Sequence, residues 1–154
     1  MSGQQTQDAS NFTDASFFVS INGAAEIDIC GEASSLNVSG GDRDTADFFT
    51  ACGDTPIILT GKRKSIKLAL KIAYTEGLSD TRAIAQQAYV SKKTVFQVRW
   101  VPRGAVSGNL QYVTDPVYSF LTSPPFPDGD VGAAAPTELT LNISTSSVTP
   151  SVIP

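Results

Sequence analysis

The sequence contains no histidine, and this absence limits the chemistry that the chain can perform. Histidine is the commonest general base, the usual zinc ligand and a member of the familiar serine and cysteine triads. A phosphate-binding loop is also missing, because Gly61-Lys62 lacks the upstream glycine and the following hydroxyl of a nucleotide-binding P-loop. The sequence therefore predicts no catalytic residue, no cofactor and no metal site, and we expect a protein that is not an enzyme.

Long apolar runs are missing as well, and cysteine is scarce. No stretch approaches the roughly 18 apolar residues that a membrane-spanning helix needs, and the N-terminus lacks a basic region followed by an apolar run. We expect neither a membrane protein nor a secreted precursor. In that setting Cys30 and Cys52 are predicted to be reduced, buried small residues rather than a disulfide.

Charged residues make up only 17% of the 154-residue chain, so much of its surface is uncharged. Ser, Thr, Gly, Asn and Gln supply that surface, which suits β-sheets, loops or surface covered by neighbouring subunits. The length predicts one domain. We expect a polar N-terminal arm at residues 1–15, a single β domain at 16–147 and a C-terminal tail at 148–154.

The charges are unevenly distributed along the chain. Residues 1–54 contain nine acids and one base, a net charge of −8, whereas residues 55–93 contain eight bases and two acids, a net charge of +6. If these blocks lie at different ends of the fold, head-to-tail stacking of subunits gains electrostatic complementarity. Alternatively, the blocks neutralise each other within one domain, and the sequence does not decide between the two.

Alternation of apolar and polar residues predicts several strands. The clearest runs from Ser65 to Tyr74, and others run from Thr94 to Val101 and from Glu138 to Ser144. Asn22-Gly23 between alternating runs predicts a hairpin, because both residues tolerate the positive φ of a type I′ turn. Less regular strands are expected at 35–39, 56–60, 105–114 and 117–122.

One segment, 79–90, has helical periodicity, with Ile84, Ala85, Ala88 and Tyr89 on one apolar stripe and Ser79 as the expected N-cap. Many strands with one amphipathic helix indicate two packed antiparallel sheets, a β-sandwich or barrel-like fold, with the helix on one flank. Proline-rich residues 123–136 are predicted to form a loop.

The ordered series of these segments resembles the tail-tube, or major tail, proteins of long-tailed bacteriophages over residues 16–147. The resemblance is carried by the run TADFF ahead of GD, the strand SIKLALKIAYTEG and the helix SDTRAIAQQAYV, followed by TVFQVRWVP, LTSPPFPDGD and TELTLNIST. No one of these motifs is specific alone, so the resemblance is at the level of the fold.

The resemblance implies a structural subunit of the virion, assembled in the host cytoplasm. In that family the subunits form hexameric rings, inner strands line a lumen, and the rings stack into a tube that delivers DNA into the host. The expected partners are further copies of the chain and other tail proteins, such as tape-measure and tail-tip proteins. DNA only passes through such a tube, and membrane binding by the chain itself is not expected.

The resemblance also implies which residues form contacts between rings. In the family a long loop between early strands reaches the adjacent ring, and this loop corresponds to residues 40–55. With the basic run that follows, the inter-ring candidates are Asp42, Asp44, Asp47, Phe48, Phe49, Lys62, Arg63 and Lys64. Phe48 and Phe49 either bury in a neighbour or belong to the subunit's own core. The lumen candidates are Glu26 and Asp28, because an acidic or neutral lumen would not retain phosphates.

Two other functions fit the composition. A virion-surface decoration or adhesin-type β domain would also be rich in Ser and Thr without catalytic residues. An enzyme that uses only carboxylates, such as a glycosidase, is compatible with a β-sandwich, but few aromatic residues surround the acids. Concentration-dependent self-assembly distinguishes the tube subunit from the surface domain, and hydrolysis of a glycan panel would favour the enzyme.

Overall fold

The structure is a computed structural model that describes residues 12–132, 134 and 136–154. A 3-10 turn at Phe12–Asp14 is followed by eleven strands and one helix within that range. The helix α1 spans Thr81–Val90. The strands are β1 (Ser16–Ile21), β2 (Ile27–Asp28), β3 (Ala33–Gly40), β4 (Arg43–Phe48), β5 (Ile57–Arg63), β6 (Ile66–Ala73), β7 (Phe96–Val101), β8 (Leu110–Thr114), β9 (Ser119–Leu121), β10 (Glu138–Thr145) and β11 (Val148–Val152).

The strands form three antiparallel sheets. A five-stranded sheet has the order β11-β8-β7-β1-β2, a four-stranded sheet has the order β3-β6-β10-β9, and β4 and β5 form a two-stranded sheet by themselves. The predicted fold class, mainly β with antiparallel sheets and one flanking helix, is confirmed. The sequence analysis predicted two sheets, and the separate β4–β5 sheet is an addition to that architecture.

The core lies between the two larger sheets. The predicted alternation places Leu68, Leu70 and Ile72 of β6 on the inner face, opposite the equally buried apolar residues of β10 in the next strand. The five-stranded sheet contributes Val98 and Trp100 of β7 from the other side. Every second residue of these strands is therefore buried, as expected for strands with one face on the core.

The helix covers one flank of this core with Ala85 and Ala88 buried. Its N-cap is Asp80 rather than the predicted Ser79. The Asp80 carboxylate accepts the N–H of Gly77 at 2.7 Å instead of capping its own helix, so it stabilises the turn that leads into the helix. Tyr89, predicted on the buried stripe, is 39% exposed.

Three expectations from the sequence need correction. The predicted loop at 40–55 contains strand β4, because its residues pair with β5 although they lack clear alternation. The predicted C-terminal tail contains β11, which pairs with β8. Cys30 and Cys52 are free, as expected, but both are exposed rather than buried. The predicted N-terminal arm lies mostly outside the described residues, and the positive φ angles expected at Asn22 and Gly23 are present.

Two consecutive glycines connect the four-stranded sheet to the β4–β5 hairpin. Gly40 and Gly41 have φ angles of 78° and 79°, a region that favours glycine. A Cβ atom on Gly40 would lie 2.5 Å from the backbone oxygen of Ser65. At Gly40 no side chain fits. Strand β3 continues there into β4 of the hairpin, and β5 of the hairpin leads back into β6.

We predict that Gly40→Ala destabilises the protein more than Gly23→Ala. Both changes impose a left-handed conformation on alanine, at a cost of roughly 1–2 kcal/mol, but a Cβ on Gly23 meets nothing within 4 Å. Because of the contact with Ser65, we expect Gly40→Ala to lower the free energy of unfolding by about 2–4 kcal/mol in total. Urea unfolding measures both free energies; equal losses would show that the close approach at Gly40 is unimportant.

Candidate assembly surfaces

The described strands of the β4–β5 hairpin pair only with each other. All 13 residues of its two strands are exposed, and neither strand pairs with the other sheets. An isolated two-stranded hairpin is marginally stable in water. With strands of six and seven residues, it extends roughly 20 Å from the sandwich at about 3.3 Å per residue. Such an element needs an external surface that covers it.

One face of the hairpin is apolar. Phe48 pairs with Ile57 and Ala46 with Leu59, and these pairs share a face because they lie two residues apart along each strand. Phe48, Ile57 and Leu59 are between 50% and 56% exposed. Phe49, just beyond β4, adds a further ring that is 58% exposed. The alternative that Phe48 and Phe49 belong to the subunit's own core is therefore wrong.

Ile57, Ile58 and Leu59 are not among the residues predicted from the sequence to contact another ring, although all three are exposed and lie in the hairpin. Three consecutive apolar residues in a strand place apolar side chains on both of its faces. Ile58, which is 64% exposed, accordingly lies on the face opposite Ile57. In the sequence, such an apolar run just before the basic segment 62–64 indicates a strand that is covered on both faces.

The base of the hairpin holds most of its charged groups. Lys64 forms an ion pair with Asp44 at 2.8 Å, and Arg63 donates a hydrogen bond to the backbone oxygen of Ser146 at 3.2 Å. The acidic and basic segments of the sequence thus meet here and partly neutralise each other within one subunit. The acidic block 1–54 and the basic block 55–93 are therefore not fully separated to opposite ends of the fold, because Asp44 and Lys64 pair across them.

A tight turn supports the hairpin base from the side of the four-stranded sheet. Asp115 accepts the N–H groups of Tyr118 at 2.7 Å and Val117 at 2.8 Å. These hydrogen bonds hold the pKa of the Asp115 carboxyl below its usual range. Ser146, which accepts the bond from Arg63, also donates its N–H to the Tyr118 backbone oxygen. The hairpin base is thereby connected to the β10–β11 turn.

The outer face of the four-stranded sheet is polar and contains a hollow. The hollow, of about 410 Å³, lies over β3, β6 and β10 and reaches the residues just after β9. Small uncharged side chains dominate its lining, among them Asn37, Ser39, Thr122, Asn142 and Ser144. Charged groups are few on this face: two lysines of β6 and one glutamate of β10, which are Lys67, Lys71 and Glu138.

The two larger sheets differ in their edges. The five-stranded sheet ends on one side in β2, which has two residues, and on the other in β11, which contains Pro150. Short strands and proline both oppose pairing with another chain. The four-stranded sheet instead ends in β3, which has eight residues and no proline. In the described part of the chain, β3 pairs only with β6 and leaves one side open.

The two lumen candidates lie on the five-stranded sheet, at its β2 edge. Glu26 is bound by Arg99 of β7, with 2.6 Å between Nη2 and Oε2. Asp28 accepts the N–H of Cys30 at 2.9 Å. The thiol and the N–H of Cys30 lower the pKa of the Asp28 carboxyl. Both acids thus have partners within the subunit, and their role in a lumen stays a prediction.

The described residues offer little else in the way of a chemical site. No group of three or more histidines, cysteines, aspartates or glutamates among them is arranged to hold a metal ion. Nor does the described part of the chain include a helix with the length and hydropathy needed to cross a membrane. The inter-ring candidates, in contrast, all lie along the hairpin and its base, and their role between rings stays a prediction.

No protein-family model and no curated protein sequence matches the chain. Solved structures match it at low identity over almost its whole length. A chain from the baseplate of the anti-feeding prophage superposes with a TM-score of 0.70 at 11% identity, covering 97% of this chain and 99% of that chain.

A chain from the sheath–tube complex of an extracellular contractile injection system gives a TM-score of 0.67 at 15% identity, covering 96% of this chain and 94% of that one. A chain from the tail of an empty gene transfer agent (GTA) particle gives 0.63 at 13% identity, with 95% and 100% covered. The resemblance to tail-tube proteins is thus confirmed at the level of the fold, which this chain shares with chains of contractile injection systems and phage-like tails.

Proposed function

We propose that this protein is a structural subunit that assembles with copies of itself into hexameric rings, and that the rings stack into a tail tube which conducts DNA into a host. Two of the similar structures were obtained with sixfold symmetry imposed, which supports the ring size. The observation that carries the proposal is the β4–β5 hairpin, whose exposed apolar face is covered by no described strand of its own subunit.

Stacking of rings gives this hairpin a partner. A hydrophobic face that stays in water contributes nothing to folding, whereas its burial against another subunit is favourable by about 25 cal/mol per Å². Because the hairpin projects from one end of the sandwich, the surface that covers it belongs to another molecule. A contact between unlike surfaces repeats along an axis and generates a stack rather than a closed dimer.

Ring formation uses the four-stranded sheet. Its open β3 edge pairs with the β9 edge of the next copy, so that each sheet becomes one segment of a continuous barrel. The polar outer face, with its hollow of about 410 Å³, supports this arrangement because a face that lines the inside of a water-filled tube has to be polar. Closure of the ring removes the edges that otherwise cause uncontrolled aggregation.

In this arrangement the face with Lys67, Lys71 and Glu138 lines the lumen, which is an alternative to the lumen predicted at Glu26 and Asp28. Retention of DNA depends on the number of phosphates that cations neutralise. Here two lysines and one glutamate stand among hydroxyl and amide groups, which keeps the density of cations low and lets the duplex slide.

We predict that the triple variant Phe48→Ser, Ile57→Ser, Leu59→Ser prevents stacking without unfolding the sandwich. The three side chains lie on one face of the hairpin and are at least half exposed, so the free energy of unfolding should change by no more than about 0.5 kcal/mol per site. Sedimentation at rising concentration measures assembly. Val90→Ser at the end of α1, where Val90 is 81% exposed, is the control and should stack normally.

We predict that Val38→Pro blocks ring closure while the subunit stays folded. Gly41 N–H bonds to Ser65, and hydrogen-bonded and non-bonded pairs alternate in an antiparallel ladder. In the register of β3 with β6, the N–H of Val38 therefore points away from β6. Proline removes that outward donor without breaking the internal ladder. Val38→Thr keeps the donor and serves as control; normal rings from Val38→Pro would exclude pairing through this edge.

Negative-stain electron microscopy of purified protein at rising concentration tests the proposed function itself. Hollow tubes or stacked rings of uniform width are the expected result. Dispersed monomers at every concentration and salt would contradict self-assembly by this chain alone and favour a surface-decoration domain instead.

A further inference from the structure

The ends of the four-stranded sheet have opposite charge. At the end that carries the hairpin lie the consecutive cations Lys62, Arg63 and Lys64, which we call the basic collar. At the other end of the sheet, β6 ends and β10 begins. There the backbones of Asp128 and Glu138 form an isolated antiparallel β-bridge. Asp130 follows two residues later. We call Asp128, Asp130 and Glu138 the acidic rim.

The acidic rim keeps a net negative charge in the subunit, because a single lysine, Lys71, lines the same cleft as its three carboxylates. None of its three carboxylates forms an ion pair or side-chain hydrogen bond with a described residue, since the ion pairs there are Lys64 with Asp44 and Arg99 with Glu26. The rim lines two adjoining clefts of about 370 and 420 Å³. Beside them the side chains of Phe126 and Val131 are largely exposed. The rim is therefore a charged, recessed surface next to uncovered apolar groups.

The basic collar also has unused charge. Lys62 forms no ion pair or side-chain hydrogen bond with any described residue, and Arg63 bonds only the uncharged backbone oxygen of Ser146. The side chain of Lys64 is 62% exposed in spite of its pair with Asp44. At least two positive charges of each subunit thus remain available to a partner.

From this complementarity we propose that the acidic rim of one subunit is the surface that receives the basic collar of a subunit in the adjacent ring. The inference rests on the proposed stacking and identifies its acceptor. Strands β6 and β10, each of eight residues, separate the two surfaces by roughly 26 Å. When subunits stack end to end, every collar meets a rim.

The same arrangement gives the hairpin its place. Because the collar lies at the base of the hairpin, contact between collar and rim sends the roughly 20 Å of β4 and β5 past the rim and along the neighbouring subunit. The apolar groups next to the rim, Phe126 and Val131, then lie on the side where the apolar face of the hairpin passes. Attraction of charges sets the register, and burial of apolar surface supplies most of the stability.

A charge swap tests this pairing. The collar variant is Lys62→Glu, Arg63→Glu, Lys64→Glu, and the rim variant is Asp128→Lys, Asp130→Lys, Glu138→Lys. In about 0.05 M salt each variant alone should need a roughly tenfold higher concentration to form tubes, because three exposed pairs are replaced by like charges. The combined variant restores opposite charges and should assemble within about threefold of the wild-type concentration.

The control for net charge combines the rim variant with Lys92→Glu, Lys93→Glu in the turn after α1, and this combination should not restore assembly. If a triple variant fails to fold, Lys62→Glu and Asp130→Lys replace it, since neither side chain has a described partner in the subunit. Loss of assembly in each variant without recovery in the combined one would overturn the pairing, as would normal assembly of either variant alone. Tubes from wild-type protein would leave the proposed function standing in both cases.

Discussion

The apolar hairpin formed by β4 and β5 is the constraint on which the other features of this subunit depend. Its strands pair only with each other, and Phe48, Ile57 and Leu59 stay in water in the isolated chain. A stable fold elsewhere supports it, because the sandwich buries a continuous core between its larger sheets. The glycine pair at 40–41 then directs the hairpin away from that core. The proposed stacking is what would cover this hairpin.

The two larger sheets have different roles in this account. The five-stranded sheet is closed to further pairing by its short β2 and by Pro150 in β11. The four-stranded sheet has an open β3 edge, a polar outer face with a hollow, and an excess of opposite charge at its two ends. In the proposed tube, the five-stranded sheet is closed to further pairing, and the four-stranded sheet provides both the ring contact and the stacking contact. This division accounts for the low charge content and for the abundance of small polar side chains.

Regular alternation made much of the fold predictable. Strands β6, β7 and β10 follow a two-residue period because one face packs on the core and the other meets solvent. Strand β4 was not predicted, since all six of its residues are exposed in the subunit and no core imposes a period on them. Strand β11 was missed for a similar reason, with Pro150 in its centre.

The candidate assembly surface was partly predictable. The family resemblance indicated the segment around Phe48, but Ile57 and Leu59 became part of the surface only through their pairing with β4. The ion pair between Asp44 and Lys64 joins segments of opposite charge that the sequence keeps 20 residues apart. The acidic rim likewise arises from tertiary structure, because a backbone β-bridge brings together Asp128 and Glu138, which are ten residues apart in the sequence.

Hydrogen exchange of the backbone amides, compared between dilute and concentrated protein, tests the central claim most directly. A strand that is uncovered in the monomer exchanges rapidly, and burial in an assembly slows its exchange. The account predicts strong protection of residues 43–63 and of the β3 edge on concentration, with little change in the core strands. Unchanged, rapid exchange of the hairpin in tubes or rings would contradict it.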